Sequence, residues 1–474
     1  MKPVFRQWLL RRDSKHGETP DVRVFAILSK IEQAIHRHAP LRDLVEAIES
    51  SKHALQDCLR PSFDSPVISK ALTLKILNLC LAKYHLAERS TTLLSRPFGL
   101  NIDPSDACNL ACPGCVHSNR VKELKLFDWD KKILTQDRLA TFLTRYGPSA
   151  IHTVFCNYGE PLINPETPKL IRLAKSYLIQ AMTSTNLSIR RFDAQAYVES
   201  GLDYMIVSID GATQPVYEKF RRNGNLDLVL RNIQMLVQAK KELGKRTPII
   251  AWRFLTFQHN IHEVPLAVEK ARVLGVDQFL TLTPYDVSWD DPAIQPAAAE
   301  PVNISFNPQS EACMLANWNP FPESLEACAI ESEFEAGWSD RIESEVGVNH
   351  QNRAESSTCQ WLYKSLTVDA GGRIFPCCAP PQPGKDLIFA NSGNLPESDL
   401  YNSDRYRLAR LSFTNPEGYR RERESLGLVQ DPHCVHCEWD KDHVTTDRPQ
   451  IRTFLRAAGA HLFNRGSVDI LSNW

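Results

Sequence analysis

Two kinds of hydrophobic periodicity divide the chain. Between residues 21 and 95, apolar residues recur at helical spacing: Val24, Ile27, Leu28, Ile31 and Ile35 form one face, and Leu41, Leu44, Val45 and Ile48 another. Residues 67–88 are apolar almost all round, which predicts a helix buried against its neighbours. No strand pattern interrupts this stretch, so residues 1–95 read as an N-terminal helical region. From about 98 to 284 the pattern alternates. Short apolar runs at 98–103, 151–156, 179–184, 204–209, 249–255 and 278–283 predict strands. Stretches of helical period at 135–147, 167–178, 190–200, 226–243 and 263–274 lie between them, and Leu226, Val229, Leu230, Ile233 and Val237 mark the face of the fourth. Such alternation builds βα units round a mainly parallel sheet, so the fold class is α/β. Six units over residues 96–285 predict a partial (β/α)6 barrel in place of a closed eight-fold one.

Residues 286–355 lose this order. Pro, Ala, Asp and Glu accumulate there, as in Asp290-Asp291-Pro292, and the segment reads as a connector with some helix. Order returns in 356–445, where Leu366 to Phe375 flank Gly371-Gly372 in the pattern of a β-hairpin. Residues 446–474 form a tail, with a helix expected at 450–464.

Charge adds only exclusions. Lys and Arg number 55 against 56 Asp and Glu, which gives no general electrostatic footprint for nucleic acid. No apolar run approaches the ~20 residues of a membrane span, and the first residues hold too short an apolar run for a secretion signal. The expected location is the cytoplasm. In that compartment thirteen cysteines point to metal or catalysis and away from disulfides.

The cysteines cluster. Eight of the thirteen lie in Cys108-x3-Cys112-x2-Cys115, Cys359, Cys377-Cys378 and Cys434-x2-Cys437. Cys58 and Cys80 read as core packing, and Cys313 and Cys328 as structural. A helix would place the first three cysteines on one face, but Pro113 and Gly114 oppose a helix there. A loop that gathers three thiolates suits an iron–sulfur cluster with one open iron, or zinc with His117 as fourth ligand. That loop follows a predicted strand, which is where barrel enzymes carry their chemistry. In the second group, the hairpin would bring Cys359 and Cys377 to one end, where Cys434 and Cys437 complete a four-thiolate site. Four thiolates suit zinc and iron–sulfur clusters alike.

With these residues in view, the stretch CNLACPGC after a first barrel strand resembles the signature of the radical SAM superfamily. Asn157-Tyr158-Gly159-Glu160-Pro161 resembles its GGEP motif, with Tyr158 in place of the first glycine. Thr185-Asn186-Leu187 resembles its T-N-G segment, and Ser208-Ile209-Asp210-Gly211 with Tyr217 to Arg221 resembles its SxDG…YxxxR segment. The order Cys359, Gly372-x4-Cys377, Cys434-x2-Cys437 resembles a SPASM or twitch-type domain. The resemblance implies a [4Fe-4S] cluster on Cys108, Cys112 and Cys115 that binds S-adenosylmethionine (SAM). It implies SAM contacts from Tyr158, Gly159, Glu160, Pro161, Ser184, Asn186 and Ser208. Arg221 is the expected partner of the SAM carboxylate, with Arg222 as the competing register. It also implies one auxiliary [4Fe-4S] cluster on Cys359, Cys377, Cys434 and Cys437, with Cys378 spare or alternate.

The implied activity is reductive cleavage of SAM to a 5′-deoxyadenosyl radical that abstracts hydrogen from a substrate C–H, with flavodoxin or ferredoxin as electron donor. The preferred substrate is a small polar metabolite such as a sugar or cyclitol, oxidised or epimerised. The alternatives are a peptide maturase and a non-catalytic metal-binding module. No residue is singled out as catalytic.

Overall fold

The computed structural model describes residues 20–59, 66–124, 132–284, 291–310, 358–379, 388–391, 399–428 and 431–437. The expected tail helix, Cys313, Cys328 and most of the connector lie outside them. Three helices open the chain: α1 (Pro20–His36), α2 (Leu41–Leu59) and α3 (Pro66–Glu88). They bury the faces expected from their spacing, with Leu28, Ile31, Ile35, Leu44, Val45 and Ile48 at most 6% exposed. Helix α3 is buried nearly all round, as its composition requires. One of its few charges, Lys75, is 1% exposed and donates to the carbonyls of Gly147 and Ala150. Those carbonyls lie just past the end of a barrel helix, where a cation is favoured, so the lysine locks the helical region to the barrel.

The alternating segment folds as read. Strands β1 (Gly99–Ile102), β2 (His152–Val154), β3 (Gln180–Thr185), β4 (Tyr204–Ser208), β5 (Ile249–Leu255) and β6 (Gln278–Leu282) pair in parallel in that order. Between and beside them run α4 (Asn119–Leu124), α5 (Gln136–Tyr146), α6 (Thr167–Ser176), α7 (Ala194–Glu199), α8 (Gln214–Phe220), α9 (Leu226–Glu242) and α10 (Val264–Leu274). Local chemistry sets their ends. Thr135 caps α5, Asn225 caps α9, and Gly275 closes α10 at φ +78°. In α9 the residues Leu226, Val229, Ile233 and Leu236 turn into the barrel core.

Two features go beyond the expected plan. Strand β7 (Asn303–Ser305), inside the segment read as a connector, adds antiparallel to β6. Strand β8 (Ser365–Val368), after the short helix α11 (Trp361–Lys364), joins the other side of the sheet in parallel with β1. The hairpin is present as expected, with β9 (Arg373–Phe375) antiparallel to β8 and Gly372 at φ +84° in its turn. With β10 (Ala390–Asn391) the result is one ten-stranded sheet, ordered β10-β9-β8-β1-β2-β3-β4-β5-β6-β7. Leu362, Tyr363, Leu366 and Ile374 share one core with the barrel residues, as do Tyr401 and, on α12 (Asp404–Thr414), Tyr406. Helix α13 (Pro416–Ser425) packs on α12. Arg410, fully buried, fastens this end by donating to the carbonyls of Leu362 and Thr91 while lying over the rings of Tyr363, Tyr401 and Tyr406.

The sheet has a covered face and an open one. On β3, β4 and β6 the burial strictly alternates at the strand starts, and the helix-facing residues Ala181, Met205, Val207, Trp252 and Phe279 are at most 1% exposed. The opposite face carries partly exposed Met182, Ser184, Tyr204, Ile206, Arg253 and Gln278. A closed barrel fills this space with layers of branched apolar side chains. Among the described residues it is a trough of mixed polar and apolar side chains, and its upper rim holds the loops described next.

Candidate active site

The loop after β1 carries Cys108, Cys112 and Cys115. Its three sulfurs are within electrostatic reach of one another, each thiol raising the cost of ionising its neighbours. Burial is the larger effect: it lifts Cys108 to about 12 and Cys112 to about 11, with Glu160 adding to the first and Arg221 opposing in the second. Such thiols lose their protons only when a cation replaces them. Leu110, Phe220, Phe257 and Ile294 wrap the loop in an apolar shell.

Three neighbouring loops converge on it. The loop after β2 holds Gly159, where an added Cβ would stand 1.6 Å from the Ser105 carbonyl oxygen, so only glycine fits. Tyr158 is tolerated one position earlier because its N–H is held from the other side, by the Asp103 carboxylate at 3.0 Å. Asp103 also accepts from the Asn157 N–H, yet burial still pushes its carboxyl up to about 8. Pro161 is buried and starts a short 3-10 turn capped by Glu160. Glu160 is 3% exposed and ties three loops together. Its N–H donates to the Ala107 carbonyl at 2.8 Å. Its carboxylate accepts from Thr185 Oγ1 at 2.6 Å, the Asn186 N–H at 2.8 Å and the Leu162 N–H at 3.1 Å.

After β3, Asn186 donates to Asn109 Oδ1 at 3.0 Å and lies 3.9 Å from Cys108 Sγ. Leu187, where the resembled segment has glycine, adopts φ +53° with its side chain fully buried. After β4, Arg221 Nε donates to Asp210 Oδ2 at 2.5 Å and its Nη1 is 3.9 Å from Cys112 Sγ. Arg222 turns away to pair with Asp291. Ser184 and Ser208 do not join this rim. Both hydroxyls accept from Arg253 Nη2, at 3.1 and 2.7 Å, from the trough side.

The second cysteine group assembles below the hairpin. Cys359 precedes α11, Cys377 and Cys378 follow β9, Cys434 lies in a 3-10 turn at His433–His436, and Cys437 follows that turn. Cys377 feels the charges of Cys378, Cys434 and Cys359, and Cys378 feels Cys359 and Cys437. Burial raises all four of Cys359, Cys377, Cys378 and Cys434 above the ordinary thiol range, Cys378 to about 11. Cys378 thus stands with the other four.

The donors of both groups are thiols, which suit iron–sulfur clusters and zinc alike. Among the described residues no three His, Cys, Asp or Glu side chains stand as a preformed single-ion site. His117 is buried, held at about 4 mainly by that burial, and hydrogen-bonded to the Tyr158 backbone. It thereby links the cysteine loop to the β2 loop. Two residues here were not foreseen. Asp103 ends a strand like many turn formers, and its reach to the β2 loop has no sequence signal. Arg253 did have one, as the single charge in the run Ile249–Leu255.

Comparisons with known proteins bear on these same residues. GTP 3′,8-cyclase of Limosilactobacillus fermentum is 29% identical over 136 residues, covering 28% of this chain and 40% of that protein. Mycofactocin maturase MftC of Mycobacterium tuberculosis is 29% identical over 159 residues, covering 32% of this chain and 38% of that one. The chain therefore spans about two fifths of the length of these curated relatives. The crystal structure of Streptococcus suis SuiB bound to S-adenosylmethionine aligns over 82% of this chain and 81% of its own, at 13% identity and a TM-score of 0.41. Residues 102–250 match the family model described as the Radical SAM superfamily. That segment holds the cysteine triplet together with the loops of Glu160, Asn186 and Arg221, and it places residues 102–250 of this chain in the radical SAM superfamily.

Proposed function

We propose that this chain is an enzyme that reductively cleaves SAM and uses the resulting 5′-deoxyadenosyl radical to take hydrogen from a substrate C–H. The observation that carries the reading is the convergence of Glu160, Asn186 and Arg221 on the loop of Cys108, Cys112 and Cys115. A [4Fe-4S] cluster held by those three thiolates would supply, when reduced by a flavodoxin or ferredoxin, the electron for the cleavage. The chain's own part is binding and orientation. Gly159 lets the β2 loop backbone approach the cysteine loop, and Glu160 fixes the Asn186 backbone beside it. Arg221, already anchored by Asp210, presents a guanidinium suited to the SAM carboxylate. The shell of Leu110, Phe220 and Phe257 keeps water from the reacting atoms.

Cys359, Cys377, Cys434 and Cys437 would hold one auxiliary [4Fe-4S] cluster, with Cys378 as a further candidate. An acceptor there suits an oxidation, because a substrate radical that loses a proton must also shed an electron. Polar side chains on that face, among them Ser184, Tyr204 and Gln278, support a small polar metabolite such as a sugar or cyclitol. A relative named for a cyclisation of GTP is consistent with a small molecule, while the maturase relative is what supports the peptide alternative.

Anaerobic reconstitution tests the reading. Two clusters give about eight irons per chain. Replacing Cys108, Cys112 and Cys115 with Ala should remove roughly half of that iron and all formation of 5′-deoxyadenosine. Zinc without iron in the reconstituted protein would overturn it.

A further inference from the structure

We infer that the wall of the trough built by β8 and β1 is a substrate subsite, where Thr367 and Asn101 bind hydroxyls of a neutral polyol. This deepens the proposed function and rests on it for the identity of the trough as the substrate space.

Strand register brings the two side chains together. Leu100 and Ile102 on β1, with Leu366 and Val368 on β8, pack into the shared core and are at most 1% exposed. Period-two alternation therefore turns Gly99, Asn101 and Asp103 on β1, and Ser365 and Thr367 on β8, to the trough. Thr367 stands opposite Asn101, and Ser365 opposite Gly99. Asn101 is partly exposed. At Gly99 an added Cβ would stand 2.9 Å from the His152 ring and 3.6 Å from Ser365 Cβ, so glycine lets the imidazole lie beside Ser365 at the foot of the wall.

The hydroxyls of this wall are buried without protein partners. Thr367 is 1% and Ser365 4% exposed, and neither Thr367 Oγ1 nor Ser365 Oγ has a hydrogen-bond partner among the described residues. A valine at 367 would have the same shape and suit a strand as well, without a buried polar group to satisfy. A ligand hydroxyl would complete the threonine. Further along the sheet the polar groups bond one another: Tyr204 donates to Gln278 at 2.5 Å, and Ser184 and Ser208 accept from Arg253.

Position and chemistry point to the ligand class. Strand β1 leads into the triplet loop, and Thr367 stands opposite Phe375 on β9, two residues before Cys377. Thr367 and Asn101 thus lie in the sheet between the strand ends that carry the two cysteine groups. A hydroxyl and a carboxamide each donate and accept, as a substrate hydroxyl does. Neither supplies a counter-charge for an ionic group that leaves water. Neighbouring strands lie about 4.8 Å apart, close enough for adjacent hydroxyls of one ring to reach both side chains.

SAM carries ribose hydroxyls, so the test separates the two sources. Reconstituted, SAM-loaded protein is titrated by calorimetry with myo-inositol, glucose and, as a ring with a single hydroxyl, cyclohexanol. We expect at least one polyol to bind tenfold or more tighter than cyclohexanol. Thr367→Val and Asn101→Ala should each reduce that preference at least threefold. The melting temperature of polyol-free Thr367→Val should equal or exceed that of the wild type, because removing a hydroxyl without a protein partner breaks no bond. SAM affinity, measured separately, should change less than threefold in both variants. Equal binding of polyols and cyclohexanol, no binding of either polyol, or an unchanged preference in either variant would each overturn the inference. A lower melting temperature with an unchanged preference would assign Thr367 to the fold alone. A tenfold loss of SAM affinity with an unchanged preference would assign the wall to SAM, and either result overturns the inference. If Thr367→Val does not fold, Asn101→Ala decides alone on the same criterion. Formation of 5′-deoxyadenosine by the reduced wild-type protein is scored independently. Its absence would refute the parent function, whereas the polyol arms speak only to this wall.

Discussion

Replacing Glu160 with Gln changes one oxygen to an NH2 group and leaves the shape almost untouched, yet it should be among the costliest conservative changes near the site. Three donors converge on the carboxylate: Thr185 Oγ1 and the Leu162 N–H on Oε1, and the Asn186 N–H on Oε2. A glutamine must place its NH2 at one of those two positions. At the Oε2 position it opposes the Asn186 N–H, donor against donor. At the Oε1 position the Thr185 hydroxyl can accept from it, because Thr185 Oγ1 already serves as an acceptor for the Leu187 N–H. The Leu162 N–H is then left without an acceptor. Either choice strands one backbone N–H in a region where Glu160 is 3% exposed.

A buried donor without a partner costs about 1–3 kcal/mol, and loss of a charge-assisted bond brings the total to about 2–4 kcal/mol. The bond from the Asn186 N–H is what holds Asn186 beside Cys108. Part of the cost should therefore appear as weaker SAM binding, with every ~1.4 kcal/mol giving a factor of ten. Equilibrium dialysis of SAM against anaerobically reconstituted protein, together with a thermal melt, reads both parts. We expect at least a tenfold weaker SAM affinity, a lower melting temperature and unchanged iron content. Wild-type values for both affinity and melting would refute the claim that Glu160 fastens these loops.

Arg221→Ala should weaken SAM binding by about 1.5–3 kcal/mol, the range for a charge-assisted contact, with both clusters retained. Arg222→Ala should leave it unchanged, and dialysis of the two variants distinguishes the registers. Cys434→Ala with Cys437→Ala should remove the auxiliary iron and lower product formation while 5′-deoxyadenosine still forms; product at the normal rate would exclude an electron-acceptor role. His85, fully buried, is held near about 3 by burial and then by Arg410, below its ordinary value. Its depressed folded value means that its contribution is complete above pH ~6.5 and is lost as pH falls towards the folded value, about 1.4 kcal/mol being gone by pH ~5.5. Denaturant midpoints for wild type and His85→Phe should show that slope only in the wild type.

Much of the barrel was legible because βα units leave a double record. Strand β5 is bounded as its run of Ile249 to Leu255 predicts, and α9 buries Leu226, Val229 and Ile233 as their spacing requires. The hairpin announced itself through Gly371-Gly372. Its partner did not. Pairing of β8 with β1 joins residues more than 260 positions apart, and a local pattern carries no information on which sheet edge a strand will find. Strand β7 was hidden for a related reason. Its residues Asn303 and Ser305 are exposed, so no apolar alternation marks it. At the site, spacing revealed the thiols because metal ligation constrains sequence. The roles of Ser184 and Ser208 depend on Arg253, which lies 69 and 45 residues away.

The pairing of β8 with β1 gives the two cysteine groups a shared frame. The triplet loop hangs from the end of β1, and Cys377 and Cys378 hang from the end of β9, one strand beyond β8. Register runs from Gly99 opposite Ser365 to Ile102 opposite Val368, and a slip by one residue would turn Leu366 and Val368 out of the core. The frame is tightened where the strands end. The Asp103 N–H donates to the Val368 carbonyl at 2.8 Å, and Asp106 Oδ1 accepts from the Ala370 N–H at 3.0 Å. The Asp103 carboxylate meanwhile holds the N–H of Tyr158, whose phenol is within electrostatic reach of Cys377 and Cys378. One aspartate thereby joins the strand that carries the triplet, the loop that would cover SAM and the hairpin that carries the second group. Because β1 and β8 pair within one sheet, register sets where the triplet loop stands relative to the hairpin, and the two aspartate side chains add bonds across the strand ends.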